Sequence, residues 1–363
     1  MTRAAEPPAL RDDLEAVCVP SAQLTQPDRC APGGPGTYAA ELASAFIPKD
    51  IAPLPAERLP RPEKVLDLTY ARVTVPEAPV FATPEEAAAG TVARTLGTGF
   101  VFVNLTQSVQ AGELTLYRTR AGQYIRAGDV APVEPSTWQG LALTARPERP
   151  FGWMVKTVRP SALPGSPTPK VGQRRFRGEL IEVFGAVRAG AWEWYLVGPG
   201  QWVEQRTVSV VQLNPPPEGV TGRWVQVNLF EQNMVAYEGS QPVYATLISS
   251  GLDKWATEPG LFQVYARVPA GKMSGAYAPD KSDYYFLEAV PWVMYFDGDR
   301  ALHGQYWHDA LGYKRSHGCV NLAPLDARWL YEWSSKGTYV WVYDPSQEVK
   351  AEAEASANTA EGP

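Results

Sequence analysis

Alternating apolar and polar residues dominate the C-terminal third of the chain and predict β-strands there. Over residues 224–230, Val225, Val227 and Leu229 alternate with polar residues. This two-residue period is typical of a strand that buries one face. Further strands are predicted at residues 234–237, 243–248, 260–268, 284–296 and 337–343.

One segment near the C-terminus has helical spacing instead. Pro324 fits the first position of a helix, Asp326 suits the first turn, and Gly337 lies just past the end. We therefore predict a helix over residues 324–333. Three large apolar residues recur every four positions and are expected to face the sheet: Leu325, Trp329 and Trp333.

A short motif occurs twice upstream, at residues 116–125 and 194–203. Each copy has an aromatic strand, a Gly turn, Gln, an aromatic residue and a β-branched residue, which together predict a hairpin. The second copy belongs to a series of short predicted strands with a Pro-rich loop at residues 160–169. This series resembles a bacterial SH3-like barrel, a module that often binds wall peptides or polymers. A simple spacer domain explains the pattern equally well.

These patterns predict a mainly β, multi-domain protein. We expect an N-terminal β region with one or more SH3-like barrel modules and a C-terminal β-rich domain with one principal helix. The predicted parts are a Pro-rich segment at 1–60, an accessory β-rich region at 61–150, the barrel at 151–213, a linker at 214–220, the C-terminal domain at 221–345 and a disordered acidic tail at 346–363.

Composition narrows the classes of partner. The net charge of −6 argues against a general binder of nucleic acid or anionic membranes. The chain has no apolar run of membrane-spanning length.

The cysteines indicate a cellular compartment. Cys18 and Cys30 flank a short loop, which predicts a disulfide and an oxidising environment, the alternative being two unpaired thiols. The first residues contain no apolar signal region, so a secreted protein is expected here in its mature form.

The candidate chemistry is concentrated around the third cysteine. All three histidines fall within residues 303–317, and His317 stands two positions before Cys319. Histidine exchanges protons near neutral pH, and a deprotonated thiol is a strong nucleophile. Gly318 permits a tight turn that aims backbone N–H groups at one point. A zinc site is the alternative, but these spacings do not match the usual paired ligands.

The same residues resemble a known family. The run Ser316-His317-Gly318-Cys319-Val320-Asn321, with His303-Gly304 sixteen residues before the cysteine, resembles the active-site signature of L,D-transpeptidases, the YkuD domain. The resemblance covers about residues 221–345. It includes two further segments: Thr257-Glu258-Pro259-Gly260-Leu261-Phe262, in which Glu258 is extra or displaced, and Trp307-His308 followed by Gly312.

The resemblance implies a role for each matching residue. Cys319 is implied to be the nucleophile and His303 the base, oriented by the main-chain carbonyl of Gly304. His317 and the amides of Gly318 and Cys319 are implied to hold the oxyanion and position the substrate. No cofactor or metal is implied.

Further residues are candidates for the substrate cleft, each with an alternative. Ser316 and Asn321 are expected to fix the loop, although Asn321 also suits capping of the helix. Trp307 suits stacking on ligand or packing under the loop, and Tyr295 suits the cleft or the core. Arg315 is a candidate for contact with a stem-peptide carboxylate, or it is a solvent-exposed loop charge. His308 is expected to line the cleft or to make structural hydrogen bonds. Met273 is placed on a flap that would cover the substrate.

The implied function is a peptidoglycan L,D-transpeptidase of the periplasm or the extracellular envelope. It would transfer a stem tetrapeptide through a thioester to an amine and form 3-3 cross-links, and carbapenems would inhibit it covalently. L,D-carboxypeptidase activity, D-amino-acid exchange and attachment of protein to the wall are alternatives on the same thioester. A non-catalytic wall-binding protein is a further alternative.

Overall fold

The computed structural model describes residues 52–165 and 169–346 of the chain. Arg146–Asn214 belong to one compact unit, whereas Ala56–Ala145 and the residues from Pro215 onward form a second, larger unit. The predicted disulfide between Cys18 and Cys30 and nearly all of the predicted acidic tail lie outside the described residues. No helix among the described residues is long and apolar enough to span a membrane.

The described residues are mainly β, as predicted. The first part of the larger unit contributes these strands: β1 (Ala56–Glu57), β2 (Thr69–Val73), β3 (Pro79–Phe81), β4 (Arg94–Thr95), β5 (Phe100–Ala111), β6 (Leu114–Thr119), β7 (Tyr124–Arg126), β8 (Val130–Val133) and β9 (Leu141–Leu143). The smaller unit contributes β10 (Phe151–Met154), β11 (Leu180–Glu182), β12 (Gly185–Ala189), β13 (Trp192–Gly198), β14 (Gln201–Glu204) and β15 (Val208–Val211). The remaining strands are β16 (Arg223–Asn228), β17 (Asn233–Glu238), β18 (Gln241–Ser249), β19 (Gly260–Gln263), β20 (Ala266–Gly275), β21 (Tyr285–Asp297), β22 (Arg300–Gly304), β23 (Val320–Leu322) and β24 (Tyr339–Tyr343).

Two helices accompany these strands within the described ranges. The shorter, α1 (Pro84–Ala89), was not predicted, although Thr83 caps its first turn and the left-handed Gly90 ends it. The longer, α2 (Pro324–Trp333), has the predicted bounds. Its most deeply buried apolar residues are Ala327 and Leu330 rather than the predicted tryptophans, which are only partly buried.

The larger unit is organised around two sheets that meet at β18. In one sheet the strand order is β19, β24, β16, β17, β18, β9 and β1, with β16 and β24 parallel. In the other sheet β20, β21, β22 and β23 are neighbours, and the last residues of β18 pair with β23. Helix α2 packs against β21 and β22. The core between these elements contains Val225, Val227 and Leu330.

The predicted accessory region shares the second sheet. Strand β5 pairs in parallel with β21, with Phe100 opposite Tyr285, and β2 and β6 flank β5. Strand β9 completes the first sheet beside β18. Residues 56–145 are therefore built into the same compact unit as the C-terminal segment.

The smaller unit contains two three-stranded sheets, with strand orders β11-β10-β15 and β12-β13-β14. The two copies of the sequence motif, residues 116–125 in the larger unit and 194–203 in the smaller, each form a hairpin. Each hairpin is followed by a 3₁₀ turn and a strand. The assignment of this unit to the SH3-like class remains a prediction, as do the domain boundaries taken from the sequence.

One strand prediction was wrong, and one correctly predicted strand is irregular. Residues 260–268 form two strands, β19 and the start of β20, instead of one. Strand β21 has nearly the predicted bounds, but Ala289 and Trp292 have φ of 53°. Positive φ is unusual for these residues, and the β20–β21 register shifts nearby, between Gly271 and Met273.

A buried carboxylate joins α2 to the first sheet. Asp326 is fully buried and accepts hydrogen bonds from Tyr244 Oη at 2.7 Å, Thr246 Oγ1 at 2.5 Å and the Gly140 amide at 2.9 Å. Burial raises its pKa to about 6, although the three donors act in the opposite direction. One side chain thus connects the helix, β18 and the accessory region.

We expect Asp326→Ala to lower the free energy of unfolding by roughly 3–5 kcal/mol, because three buried donors lose their acceptor. Glu332→Ala is the matched control, since Glu332 lies on the exposed side of α2 in a surface pair with Arg328, and its loss should be below about 1 kcal/mol. Urea unfolding followed by circular dichroism measures both. Equal losses would show that the Asp326 contacts are not stabilising.

Candidate active site

The pairing of two short strands brings the candidate catalytic residues together. Strands β22 and β23 are parallel neighbours, and His303 lies opposite Asn321. Cys319 immediately precedes β23. The imidazole therefore extends from β22, and the thiol extends from the residue just before the neighbouring strand β23.

The imidazole of His303 is buried and neutral. Its side chain is 2% exposed, and Nδ1 lies 3.0 Å from the carbonyl oxygen of Gly304. Because a carbonyl only accepts hydrogen bonds, Nδ1 carries the proton and the lone pair remains on Nε2. Burial lowers the pKa of His303 to about 4, partly offset by that hydrogen bond. At neutral pH the imidazole is uncharged and able to accept a proton.

Gly304 is required by the packing around it. A Cβ at this position would lie 2.9 Å from Pro291 Cγ and 3.2 Å from the Ala327 side chain. These distances are too short for a larger residue unless β21 or α2 shifts. The glycine lets β22 pass under α2, and its carbonyl fixes the tautomer of His303.

The thiol of Cys319 is protonated in the resting site. Its side chain is partly exposed, and Sγ lies 3.8 Å from the carbonyl oxygen of Asp299. Burial raises its pKa to about 11. The Ala301 amide and the charge of Arg300 oppose this increase, and the charge of Asp299 adds to it.

The loop before Cys319 is fixed by its own hydrogen bonds. Ser316 Oγ donates to the Cys319 carbonyl at 2.5 Å and accepts from the Gly318 amide at 3.1 Å. Thr257 Oγ1 donates to the Gly318 carbonyl at 2.8 Å. Gly318 has φ of 114°, a conformation that favours glycine. The Gly318 amide, predicted as an oxyanion donor, is therefore engaged by Ser316 in this conformation.

His317 lies within a group of aromatic rings. Its ring centroid is 3.8 Å from that of Trp255, 5.3 Å from Tyr285 and 5.7 Å from Tyr277. Lys254 Nζ lies 3.6 Å from the centroid of the Trp255 ring. Partial burial lowers the pKa of His317. This packing fixes the orientation of the imidazole next to the thiol loop.

Three predicted cleft residues line the apolar surroundings of the thiol. Met273, Tyr295 and Trp307 pack against the same buried cluster as Cys319. The Trp307 ring is 5.8 Å from His303 and makes an edge contact with Tyr306 at 4.9 Å. These residues form part of the apolar wall around the thiol.

The other predicted residues have different surroundings. His308 is held by backbone hydrogen bonds to the Gln305 side chain, and its Nδ1 accepts from the Ala310 amide at 3.2 Å. Arg315 is exposed, and its amide donates to the Ser250 carbonyl. Asn321 is 2% exposed, and its Oδ1 has no hydrogen-bond partner among the described residues. It does not cap α2, whose N-cap is Ala323.

Comparison with known proteins gives the family of this segment. A family model described as the L,D-transpeptidase catalytic domain, YkuD, matches residues 222–342. Residues 222–342 are a YkuD domain. A Bacillus subtilis protein named as a putative L,D-transpeptidase, YciB, is 32% identical over an alignment of 133 residues that covers 30% of this chain. The chain spans 59% of the length of that curated relative.

Solved structures of L,D-transpeptidases also resemble part of the chain. The catalytic domain of an E. faecium L,D-transpeptidase is 26% identical, with 34% of this chain and 99% of that chain covered and a TM-score of 0.31. An L,D-transpeptidase from Stackebrandtia nassauensis is 25% identical, with 36% and 58% covered and a TM-score of 0.28.

Several residues next to the thiol were missed from the sequence. Trp255, Tyr277 and Tyr285 surround His317 in the YkuD domain, and Arg300 lies beside Gly318. The two tyrosines follow Met273 in the sequence, and this local clustering of aromatic residues is a signal from which they could have been predicted. The position of Trp255 depends on the fold, because sixty-two residues separate it from His317.

We expect His303 to titrate in the YkuD domain with a midpoint near pH 4 and to carry its proton on Nδ1, because burial disfavours the charged ring. The unfolded chain binds this proton near pH 6.5, so stability should fall as the pH decreases from about 6.5 to about 4. Nitrogen-15 NMR of labelled histidine measures midpoint and tautomer, with His308→Ala and His317→Ala variants assigning the signals. A His303 midpoint near 6.5 would contradict this expectation.

Proposed function

We propose that the chain is a peptidoglycan L,D-transpeptidase in which Cys319 is the acyl-accepting nucleophile. The observation that carries the proposal is the 3.0 Å contact between Nδ1 of His303 and the Gly304 carbonyl, on the strand next to Cys319, from which the Nδ1–H tautomer is inferred. This arrangement leaves Nε2 as a base and requires no carboxylate. Membership of residues 222–342 in the YkuD family supports the same reaction class.

The proposed reaction begins at the carbonyl that precedes the terminal D-residue of a stem tetrapeptide. Sγ of Cys319 attacks the carbonyl carbon while the thiol proton passes to Nε2 of His303. The C–N bond then breaks, and the leaving amine takes that proton from His303. The product of this half-reaction is a thioester between Cys319 and the shortened stem.

The second half-reaction transfers the acyl group to an amine of another stem. The amine attacks the thioester carbon and gives a proton to His303. The C–S bond then breaks, and the proton returns to Sγ. The new amide is a 3-3 cross-link, and the reaction needs neither a cofactor nor ATP.

The pKa values favour proton transfer during the attack. The thiol near 11 and the imidazole near 4 differ by about seven pKa units. A separated thiolate–imidazolium pair is therefore disfavoured in the resting site, so we infer that Sγ loses its proton as the new C–S bond forms.

The remaining roles follow from the surroundings of the thiol. The unpaired Oδ1 of buried Asn321 is available to a substrate donor, and Met273, Tyr295 and Trp307 supply an apolar surface to the stem. His317 is proposed to position the substrate or the oxyanion from within its aromatic group. Ser316 is proposed to hold the loop, and exposed Arg315 to contact a stem carboxylate.

This reaction implies a location and partners. The substrates are stem peptides of the wall, so we propose that the protein works in the periplasm or the extracellular envelope. A carbapenem should acylate the same thiol. The smaller unit is proposed as an SH3-like module that contacts glycan or wall peptide.

Mass spectrometry of the protein incubated with isolated disaccharide-tetrapeptides tests the reaction. We expect a cross-linked dimer together with the released D-residue. Cys319→Ser, which keeps the size of the side chain, should give no product and no carbapenem adduct. An adduct or product from that variant would rule out Cys319 as the nucleophile. A tripeptide alone would indicate a carboxypeptidase, an exchanged terminal residue would indicate D-amino-acid exchange, and a stem joined to an added protein amine would indicate wall attachment.

We expect His303→Ala to lower kcat/KM for this reaction by about 10³-fold or more, because general-base catalysis is lost. His308→Ala is the matched control and should lower it less than about tenfold, since His308 is held mainly through its backbone. Steady-state kinetics on variants with native circular dichroism measure both. Equal losses would assign His308 to the catalytic machinery.

A further inference from the structure

The turn between β21 and β22, together with the start of β22, contacts one side of the thiol. The Asp299 carbonyl oxygen lies 3.8 Å from Sγ of Cys319. The Ala301 amide also acts on the sulfur as a hydrogen-bond donor. The residue between them, Arg300, is therefore fixed by its backbone next to the thiol.

The side chain of Arg300 is anchored by two carboxylates. Nη1 lies 2.5 Å from Oδ2 of Asp297, and Nη2 lies 3.4 Å from Oε1 of Glu258. The side chain is 32% exposed. Glu258 is the residue that appeared extra or displaced in the Thr-Glu-Pro-Gly segment of the sequence, and the fold gives it a partner.

Arg300 also covers the glycine that precedes the nucleophile. A Cβ on Gly318 would lie 3.2 Å from Arg300 Nε, 3.5 Å from Cγ and 3.6 Å from Cδ. The guanidinium and its stem thus lie along the backbone of the loop that presents Cys319. Because two carboxylates fix the guanidinium, its position next to this loop is defined.

We propose that Arg300 is a positioning residue for Cys319: it holds the Gly318 backbone in place and provides the positive charge beside the sulfur when the thiolate forms. The proposal rests on the proposed function only for the identity of the nucleophile. Arg300 acts through the thiol and its loop, and no contact with substrate is required of it.

The other described groups that act on the thiol are negatively charged or neutral. Asp299 acts on the thiol with a negative charge. Tyr277, Tyr285 and Tyr295 interact electrostatically with Cys319 from the β20–β21 side, and burial raises the pKa of each, so all three are neutral at pH 7. His303, on the adjacent strand, is also neutral. Among the described groups that act on the thiol, Arg300 supplies the positive charge.

The test is the pH profile of Cys319 alkylation by iodoacetamide, followed by mass spectrometry of the peptide that contains Cys319. Arg300→Gln should move the alkylation midpoint upward by about half to one pH unit, because the thiolate loses a nearby cation. At pH 8 this is a three- to tenfold slower reaction. Arg300→Lys, which keeps the charge, should recover at least half of the shift.

Two further variants serve as a control and as a second test of the charge of Arg300. Arg328→Gln removes an arginine from a surface carboxylate pair on α2 and should leave the midpoint unchanged. Glu258→Gln should fold whatever the fate of Arg300→Gln, because Glu258 is 57% exposed. It frees the charge of Arg300 from one partner and should move the midpoint downward.

The proposal is overturned if the midpoint is unchanged in both Arg300→Gln and Glu258→Gln, or if Arg328→Gln shifts it as much as Arg300→Gln does. The assay uses no wall substrate. A protein that fails to cross-link stem peptides but shows these shifts would contradict the proposed function and leave the role of Arg300 intact.

Discussion

The parallel pairing of β22 with β23 is the constraint on which the candidate site depends. Each strand is short, and the register places His303 opposite Asn321. A shift of one residue would move the imidazole to the other face of the sheet. The end of β18 holds β23 from its other side, and α2 covers β22. The positions of His303 and of β23, which Cys319 directly precedes, are thus set by backbone hydrogen bonds within a sheet.

Burial of this pair has an energetic consequence as well as a geometric one. The pKa of each group is shifted so that the neutral form is favoured: it is about 4 for His303 and about 11 for Cys319. A neutral site of this kind avoids the cost of holding an unpaired charge in the interior. In the proposed reaction, charge separation would occur only once substrate is bound, and the Ala301 amide and Arg300 are already placed to act on the sulfur at that point.

The elements of the site that depend on residues close together in the sequence could be predicted. The Pro324 start of α2, the alternation along β16 and the spacing of His303 and Cys319 all lie within short windows. The position of Trp255 against His317 could not be predicted, since it is set by how β18 and β23 pair. The irregular backbone of β21 was missed because the apolar pattern there is continuous, whereas the positive φ of Ala289 and Trp292 depends on neighbouring strands.

The parallel pairing of β5 with β21 also has no local sequence signal. This pairing brings residues from outside the family match into contact with the matched segment. Tyr70 stacks on Tyr306 with ring centroids 3.6 Å apart, and its hydroxyl donates to the Ala289 carbonyl at 2.8 Å. The Tyr306 hydroxyl donates to the neighbouring Glu288 carbonyl at 2.7 Å. Both bonds fall where β21 departs from regular geometry.

Tyr306 lies three residues after His303 and directly before Trp307, so these contacts support the segment that follows His303. The family match begins at residue 222, yet part of the support for that segment comes from residue 70. Through these buried contacts the accessory region stabilises the irregular part of β21 and the wall next to His303. The geometry of the candidate site is consequently a property of the whole larger unit rather than of the matched segment alone.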